Sequence, residues 1–568
     1  MQKLSRYLLF FLTFSLHAST ISPAQKSKIK KPSKSPHTQT LRNAKEREKA
    51  RNSIKKNSIP QKASAPKKHA TKKHVAKRRR TKKLRQQKAH GSIVSPTIRT
   101  TSSTNVSNES AGQQRLRKLR DIIGQLVKQS DKQASIGIKV VLLKNNCVVY
   151  EKNADKQFIP ASNTKMITAA AAYHILGPEY VYVTKLFTDK RISPHAINNL
   201  YIKGAGDPTL NETDLFELIR SLRKLGIREI RGTIIVDATV YNEQGTGPGW
   251  SRGDASLYDK APTSGLMVNH SCIQVYVSPG ATGKPPYVSV DPSTNYFKII
   301  NKARTTSKKG GGLHVIREKG NTLLIKGTIS RRSKSKYYRI AVEHPHLFAG
   351  SVLESVLRKN KFIIKGKVKA GAVSSTAELL GEHRSEPLTS IVRIMMKASD
   401  NLYADALFRT MGAHSFGTPG TWIKGKQAVT EFLEKTVKLS PDEMMVLHDG
   451  SGLSHTNQVS PHSLYKLLAW VYTQSPHRAI FIGSLPIGGV DGTLRNRMKH
   501  HSVQGSVQAK TGSLTGVTSL SGYITPKTGL PLIFAVMVNR TNKSAVHYKK
   551  QLEDQLCSLL AAHAFSTY

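Results

Sequence analysis

The sequence predicts an α+β fold: a mixed helix-and-strand domain interrupted by a long, mainly β insertion. Three observations carry that reading. A helix-spaced run near residue 113 and a hairpin over 136–150 lead into an alanine-rich helical stretch. From about 180 to 380 the texture changes to short β-type runs punctuated by Gly, Pro and Asn. Helical patterns then return, and the chain ends in a meander of apolar strands closed by an amphipathic helix.

Taken in order, Met1–Arg6 is short and basic, and Tyr7–Leu16 is apolar but too short to span a bilayer comfortably. His17-Ala18-Ser19-Thr20 then supplies small residues. Residues 1–18 read as a secretory signal peptide cleaved near Ala18, with an organelle-targeting peptide as the alternative. An exported protein of the periplasm or cell envelope is expected. No later segment has the length and continuous apolarity of a membrane span.

Residues 19–112 read as a disordered basic arm. The whole chain carries a formal charge of +54, and residues 21–90 hold 25 Lys and Arg against two Glu. The arm is rich in Lys, Ser, Pro, Gln and Thr, so ordering it buries too little apolar surface to offset the loss of chain entropy. Such charge favours an anionic partner. The run Lys77-Arg78-Arg79-Arg80 would point to nucleic acid in a cytosolic protein. Behind an export signal the expected partner is an anionic envelope polymer, and no nucleic acid.

The first domain segment, 113–182, opens with Leu116, Leu119, Ile123 and Leu126 at helical spacing. Ile136–Leu143 and Cys147–Tyr150 read as strands around an Asn145-Asn146 turn. The insertion, 183–380, contains β-type runs such as 232–237 and 272–277 and one helix, Asp214–Leu225. The closing segment, 381–568, has helical patterns over 389–410, 426–438 and 461–473. It ends in strands over 507–514, 516–524 and 531–538 and a helix over 544–564. Cys147, Cys272 and Cys557 lie far apart in apolar surroundings. They read as small buried hydrophobes, with one long-range disulfide as the alternative, and no zinc-ligand spacing joins them to His.

The chemistry centres on Pro160-Ala161-Ser162-Asn163-Thr164-Lys165, at the start of the alanine-rich run. Positions i and i+3 share a helix face, so the Lys165 amine can reach the Ser162 hydroxyl. A helix start also offers unpaired N–H groups and partial positive charge. A serine nucleophile needs both a base and donors for its oxyanion. Ser-x-x-Lys recurs at Ser27, Ser53, Ser64, Ser221, Ser333 and Ser463, so the spacing alone decides little. Two downstream motifs distinguish Ser162. Ser399-Asp400-Asn401 follows an apolar helix, and Lys510-Thr511-Gly512-Ser513 lies in a strand. A second Lys-Thr-Gly, Lys527-Thr528-Gly529, follows Pro526 between two strands and reads as a hairpin turn.

With these three motifs in this order, the chain resembles the low-molecular-mass class C penicillin-binding proteins, the D-alanyl-D-alanine carboxypeptidase/endopeptidase family. The resemblance covers roughly residues 115–568. The gaps of 237 residues between Ser162 and Ser399, and 111 between Ser399 and Lys510, support it. So do the strings Lys203-Gly204-Ala205-Gly206-Asp207-Pro208, Asp449-Gly450-Ser451-Gly452-Leu453-Ser454 and Leu485-Pro486-Ile487-Gly488-Gly489-Val490-Asp491-Gly492-Thr493-Leu494. It implies a penicillin-recognising, β-lactamase/transpeptidase-like domain, an antiparallel sheet flanked by helices, interrupted by two nested, mainly β domains.

The resemblance also implies roles. Ser162 attacks the carbonyl between the terminal D-alanines of a peptidoglycan stem peptide, and neutral Lys165 is the base. Burial and the positive charge of Lys510 would lower the Lys165 pKa. Ser399 relays the proton to the leaving amine. Asn401 holds the substrate amide, and Lys510, Thr511 and Ser513 offer donors to the terminal carboxylate. The Ser162 and Ser513 N–H groups form the oxyanion hole, and Asp254 resembles an acid that contacts the free amine of diaminopimelate. D-Ala–diaminopimelate cross-links are a second substrate, β-lactams are covalent inhibitors, and no metal or organic cofactor is needed. The family's usual Arg after the Asp449–Ser454 string is His455 here. A β-lactamase or related serine esterase, and a non-catalytic peptidoglycan-binding protein, are the competing readings.

The arm yields a test. Removing residues 21–110 should weaken co-sedimentation with peptidoglycan sacculi at low salt and leave hydrolysis of a small pentapeptide unchanged. At high salt the difference should vanish, because exposed charges are screened. Equal pelleting of both forms at low salt would leave the arm as a spacer.

Overall fold

The computed structural model describes residues 111–565 except 131–132, 252–255, 309–310 and 542–543. The signal peptide, the basic arm up to residue 110, and Asp254 lie outside the described residues.

A five-stranded sheet organises the first and last segments. Its order is Val507–Leu514, Val517–Ile524, Leu532–Asn539, Ser135–Leu142, Cys147–Lys152, antiparallel throughout. The two ends of the folded chain are therefore hydrogen-bonded side by side, with Ile138 opposite Val536. The strand Leu532–Asn539 is apolar along almost its whole length because both its faces are covered. Phe534, Val536 and Val538 pack into one core with Leu116, Leu119, Ile123 and Val127 of helix Ala111–Ser130 and with Leu552, Leu556 and Leu560 near the C-terminus. Ile533, Ala535 and Met537 pack on the other side, against the alanine-rich helix Thr164–Ile175 and the helices that follow the insertion. That helix is buried at every position from Thr164 to Tyr173, and its small side chains let neighbouring helices approach.

The helix Ala111–Ser130 buries Val127 where Leu126 was expected, which keeps the buried positions three or four residues apart. The 389–410 pattern is two helices, Leu388–Ala398 and Asn401–Phe416, broken at left-handed Ser399. The 426–438 pattern begins earlier, at Trp422, because Thr421 caps the Lys424 N–H. Helix Arg478–Ser484, too short for a periodic signal, was not anticipated.

The insertion is entered by Val183–Thr188 and left by Glu378–Arg384, and these strands pair antiparallel. Its last strand thus runs past residue 380. Five- and four-stranded sheets hold its outer parts, while three- and four-stranded sheets use strands between Cys272 and Ala341. A second helix, Pro345–Lys359, was missed among the β-type runs. Its Phe348, Val352, Leu353, Val356 and Leu357 share one core with Leu215, Leu218, Ile219 and Leu222 of helix Glu212–Lys224. All three cysteines are free. Among the described residues no helix is long and apolar enough to cross a membrane.

Arg409 ties the insertion to the helix Asn401–Phe416. Its buried guanidinium donates to the carbonyls of Asn242, Gln244 and Gly420 and lies 4.4 Å from the Tyr241 ring centroid. A charge this deep is tolerated because two carbonyl groups of the insertion and that of Gly420 solvate it.

Candidate active site

Ser162 lies in a 3-10 turn, Ala161–Asn163, that runs directly into the helix Thr164–Ile175. The turn is held tightly. Ala161 has φ +48°, a conformation an L-residue adopts only when its surroundings impose it. The Thr164 hydroxyl donates to the Ala161 carbonyl (2.9 Å), the Ser519 hydroxyl to the Pro160 carbonyl (2.7 Å), and Asn163 Nδ2 to the Ser521 hydroxyl (2.8 Å). Two glycines allow this. A Cβ on Gly452, at φ +85°, would overlap the Ala161 carbonyl, and one on Gly512 would overlap the Ser519 hydroxyl. A Cβ on Gly512 would also come within 2.9 Å of the Pro160 carbonyl and 3.1 Å of Ala161 Cβ, so the strand runs close against the serine turn here.

Lys165 is fully buried behind a half-buried Ser162. Its Nζ makes three contacts: Ser162 Oγ at 2.9 Å, Asn401 Oδ1 at 2.6 Å and the Ser451 carbonyl at 2.7 Å. The last two partners can only accept. When the amine is neutral its two N–H bonds go to them, and its lone pair faces the serine hydroxyl. Burial lowers the Lys165 pKa to about 8, against the opposing pull of Asp405, Asp449 and Asp400. That amounts to about 3 kcal/mol against the charged form. Burial, with Asp449 beside it, also pushes Asp405 well above the usual carboxylate range. The more firmly Asp405 holds a proton, the less it opposes the neutral amine.

Lys510 is also fully buried. Its Nζ donates to Ser399 Oγ at 2.7 Å and to the Thr511 carbonyl at 2.8 Å. Its pKa is pushed well below the lysine range, by burial first and by Lys165 second. Lys510 was expected to lower Lys165, but the repulsion between the two amines acts on Lys510, and burial is what lowers Lys165.

Ser399 and Asn401 flank a break between helices. Ser399 is the left-handed cap of one helix (φ 60°, ψ 41°), and Asp400 caps the next, accepting from the Tyr403 N–H. Asn401, expected to hold the substrate amide, has its carboxamide engaged at both ends here, accepting from Lys165 and donating to the Asp259 carbonyl of the insertion at 2.8 Å.

The strand Val507–Leu514 is the outermost strand on one side of the sheet, and its first half is met by the segment around Pro486–Gly488. The Ala509 N–H crosses that edge to the Pro486 carbonyl, and strand alternation turns the Ser513 N–H the same way. The Thr511 hydroxyl pairs with Thr493 at 2.8 Å, and the exposed Ser513 hydroxyl donates to the Gly512 carbonyl. Lys527 lies in the turn between the strands Val517–Ile524 and Leu532–Asn539, where the Gly529 N–H closes on Pro526. His455 donates its backbone N–H to the Gly249 carbonyl at 3.1 Å. Among the described residues no group of three His, Cys, Asp or Glu could hold a metal ion.

The structure therefore brings Ser162, Lys165 and Asn401 together, and links Ser399 to Lys510. Sequence reasoning missed the carbonyls of Ser451 and Asp259 and the side chains of Asp405 and Thr493. The Asp449–Ser454 string, which holds Ser451, and the Leu485–Leu494 string, which holds Thr493, were the local hints.

A sequence profile of the D-Ala-D-Ala carboxypeptidase 3 (S13) family matches residues 119–562. The chain belongs to this D-Ala-D-Ala carboxypeptidase (S13) family. It is 32% identical over 444 residues to a D-alanyl-D-alanine carboxypeptidase from Actinomadura sp. (strain R39), over 75% of this chain and 81% of that protein. Penicillin binding protein 4 (dacB) from Haemophilus influenzae matches with a TM-score of 0.69 at 26% identity, over 78% of this chain and 99% of that one. The same protein in complex with a β-lactam matches with a TM-score of 0.64 at 25% identity, over 77% and 97%. The fold of this S13 chain is accordingly the penicillin-recognising α+β fold.

Two predictions follow from the geometry of this S13 site. Acylation by a fluorescent penicillin should climb about tenfold per pH unit at low pH and level off above about pH 8, because neutral Lys165 is the form with a lone pair for the serine. A flat profile through this range would place the base elsewhere. Lys510→Ala should lower acylation about a hundredfold, because the buried donor that positions Ser399 is lost. Lys527→Ala should change it less than about twofold, since an exposed turn charge contributes little. Equal losses would show that the edge strand is not the substrate strand.

Proposed function

We propose that this protein is an exported serine-type D-alanyl-D-alanine carboxypeptidase that also cuts D-Ala–diaminopimelate cross-links, through an acyl-enzyme on Ser162. The observation that carries the proposal is the 2.9 Å contact between Lys165 Nζ and Ser162 Oγ, with the other two amine contacts made to obligate acceptors. S13 membership supplies the carboxypeptidase reading, and the leader sequence supplies export.

In this mechanism the Ser162 hydroxyl passes its proton to neutral Lys165 as Oγ attacks the carbonyl of the penultimate D-alanine. The tetrahedral oxyanion is held by the N–H groups of Ser162, at a helix start, and Ser513, on the sheet edge. Asn401 holds Lys165 in place. The proton held by Lys165 passes through the Ser399 hydroxyl, which gives its own proton to the departing amine and takes the one from Lys165, so that D-alanine leaves as the C–N bond breaks and Lys165 is neutral again. Lys510 draws the substrate's terminal carboxylate, with Thr511 and Ser513 as further donors. Water, activated by the same amine, then cleaves the ester and restores Ser162. A D-Ala–diaminopimelate bond also joins two D-configured centres and fits the same steps, with Asp254 assigned to the free amine of diaminopimelate. A β-lactam presents a strained amide beside a carboxylate to the same groups, and its ring opens without releasing a fragment that makes room for water.

Labelled penicillin should modify one peptide, the one containing Ser162, and the label should outlast a normal turnover. Lys165→Ala should acylate more than about 10⁴-fold more slowly while unfolding at a similar temperature, since base and positioning are lost together. Labelling elsewhere would overturn the assignment of the nucleophile. Rapid antibiotic hydrolysis would favour a β-lactamase, and a folded protein that takes no label would favour a binding protein.

A further inference from the structure

The residue between the two polar members of Ser399-Asp400-Asn401 has a partner that belongs to the insertion. His270 Nε2 lies 2.8 and 2.7 Å from the two carboxylate oxygens of Asp400. The Asp400 side chain is only 8% exposed and that of His270 16% exposed. Asp400 also accepts from the Tyr403 N–H at 3.2 Å and from the Tyr258 hydroxyl at 3.4 Å. Burial works to raise the Asp400 pKa, but His270 and the Tyr403 N–H outweigh it, and the carboxyl is held below the usual range.

The insertion bears a cost to present this imidazole. Asn269, His270 and Ser271 all have positive φ, of 50°, 61° and 50°. None is glycine, so each holds a backbone conformation that L-residues disfavour. The turn is over-determined. Asn269 Oδ1 accepts from the Glu212 N–H, the Asn269 N–H donates to the Leu210 carbonyl, and the Ser271 carbonyl accepts from the Val342 N–H. The imidazole is stacked on Tyr258 at 4.2 Å, and the Arg339 guanidinium covers the same phenol ring at 4.6 Å. Strain maintained this carefully, across a contact between inserted and sheet-bearing parts of the chain, calls for a functional reason.

The position of Asp400 supplies one. Its backbone joins left-handed Ser399 to helical Asn401, so fixing its carboxylate fixes the turn on both sides. Ser399 Oγ then meets Lys510, and Asn401 Oδ1 meets Lys165. We propose that His270 is a positioning residue of the active site, which sets Ser399 and Asn401 by gripping the carboxylate between them. The insertion is on this view a working part of the site. The backbone carbonyl of Asp259 completes the grip from the same side by taking the Asn401 amide.

This inference rests on the assignment of Ser162 as nucleophile, and the experiment separates the two. Two full-length variants divide the properties of the imidazole. His270→Gln keeps a donor where Nε2 lies and loses the ring. His270→Phe keeps a ring on Tyr258 and loses the donor. Each is titrated with fluorescent penicillin to resolve the limiting acylation rate from the concentration at half-saturation, with thermal unfolding alongside. The phenylalanine variant should lose about a hundredfold in limiting rate, the penalty expected for small misplacement of reacting groups, with half-saturation little changed. The glutamine variant should recover most of that loss. A phenylalanine variant at the wild-type rate, or a glutamine variant as slow as it, would overturn the role of His270. A wild-type protein that takes no label on Ser162 would instead overturn the assignment beneath it.

Discussion

A buried amine with three hydrogen-bond partners is the constraint on which the rest depends. Lys165 Nζ is surrounded by the serine turn, the first residue of the helix Asn401–Phe416, and the Ser451 carbonyl of a glycine-rich loop. An ammonium in such a place loses its hydration, and three aspartates restore only part of that stabilisation. The amine is thereby held ready to lose its proton near neutral pH. Any loosening that admitted water would restore the charge and remove the base.

Much of the surrounding structure serves that enclosure. Asp405 Oδ1 accepts from the Gly450 and Ser451 N–H groups, and Asp449 from those of Gly452 and Ser454, so the loop carrying the Ser451 carbonyl is pinned from within. The sheet edge closes the site through Gly512, which has no side chain to hold the strand away from the serine turn. The insertion closes it through Asp259 and through Trp250, whose indole donates to Asp449. Segments far apart in sequence meet here because the sheet joins the two ends of the folded chain.

The apolar strands and the alanine-rich helix were legible because their cause is local. A strand covered on both faces, such as Leu532–Asn539, needs an apolar residue at nearly every position, and the sequence says so directly. The helix Pro345–Lys359 was not legible among its β-type neighbours, since its core partners lie in a helix more than a hundred residues earlier. The break at Ser399 was hidden inside one continuous helical pattern. Its left-handed conformation is stabilised by contacts to Asp400 and Lys510 that no local window contains.

By itself the sequence determined the three motifs, their order, and the pairing of Ser162 with Lys165, because residues three apart at a helix start meet whatever the rest of the chain does. It also determined that Lys527-Thr528-Gly529 is a turn, because Pro526 and Gly529 fix backbone angles locally. The tertiary structure alone decided that Asn401 meets Lys165, that Asp400, Asp405 and Asp449 oppose the burial that lowers the lysine pKa, and that His270 lies against Asp400. These are properties of side chains brought within hydrogen-bond distance from positions 130 or more residues apart. Desolvation belongs to an enclosure, and no single segment of the sequence contains one.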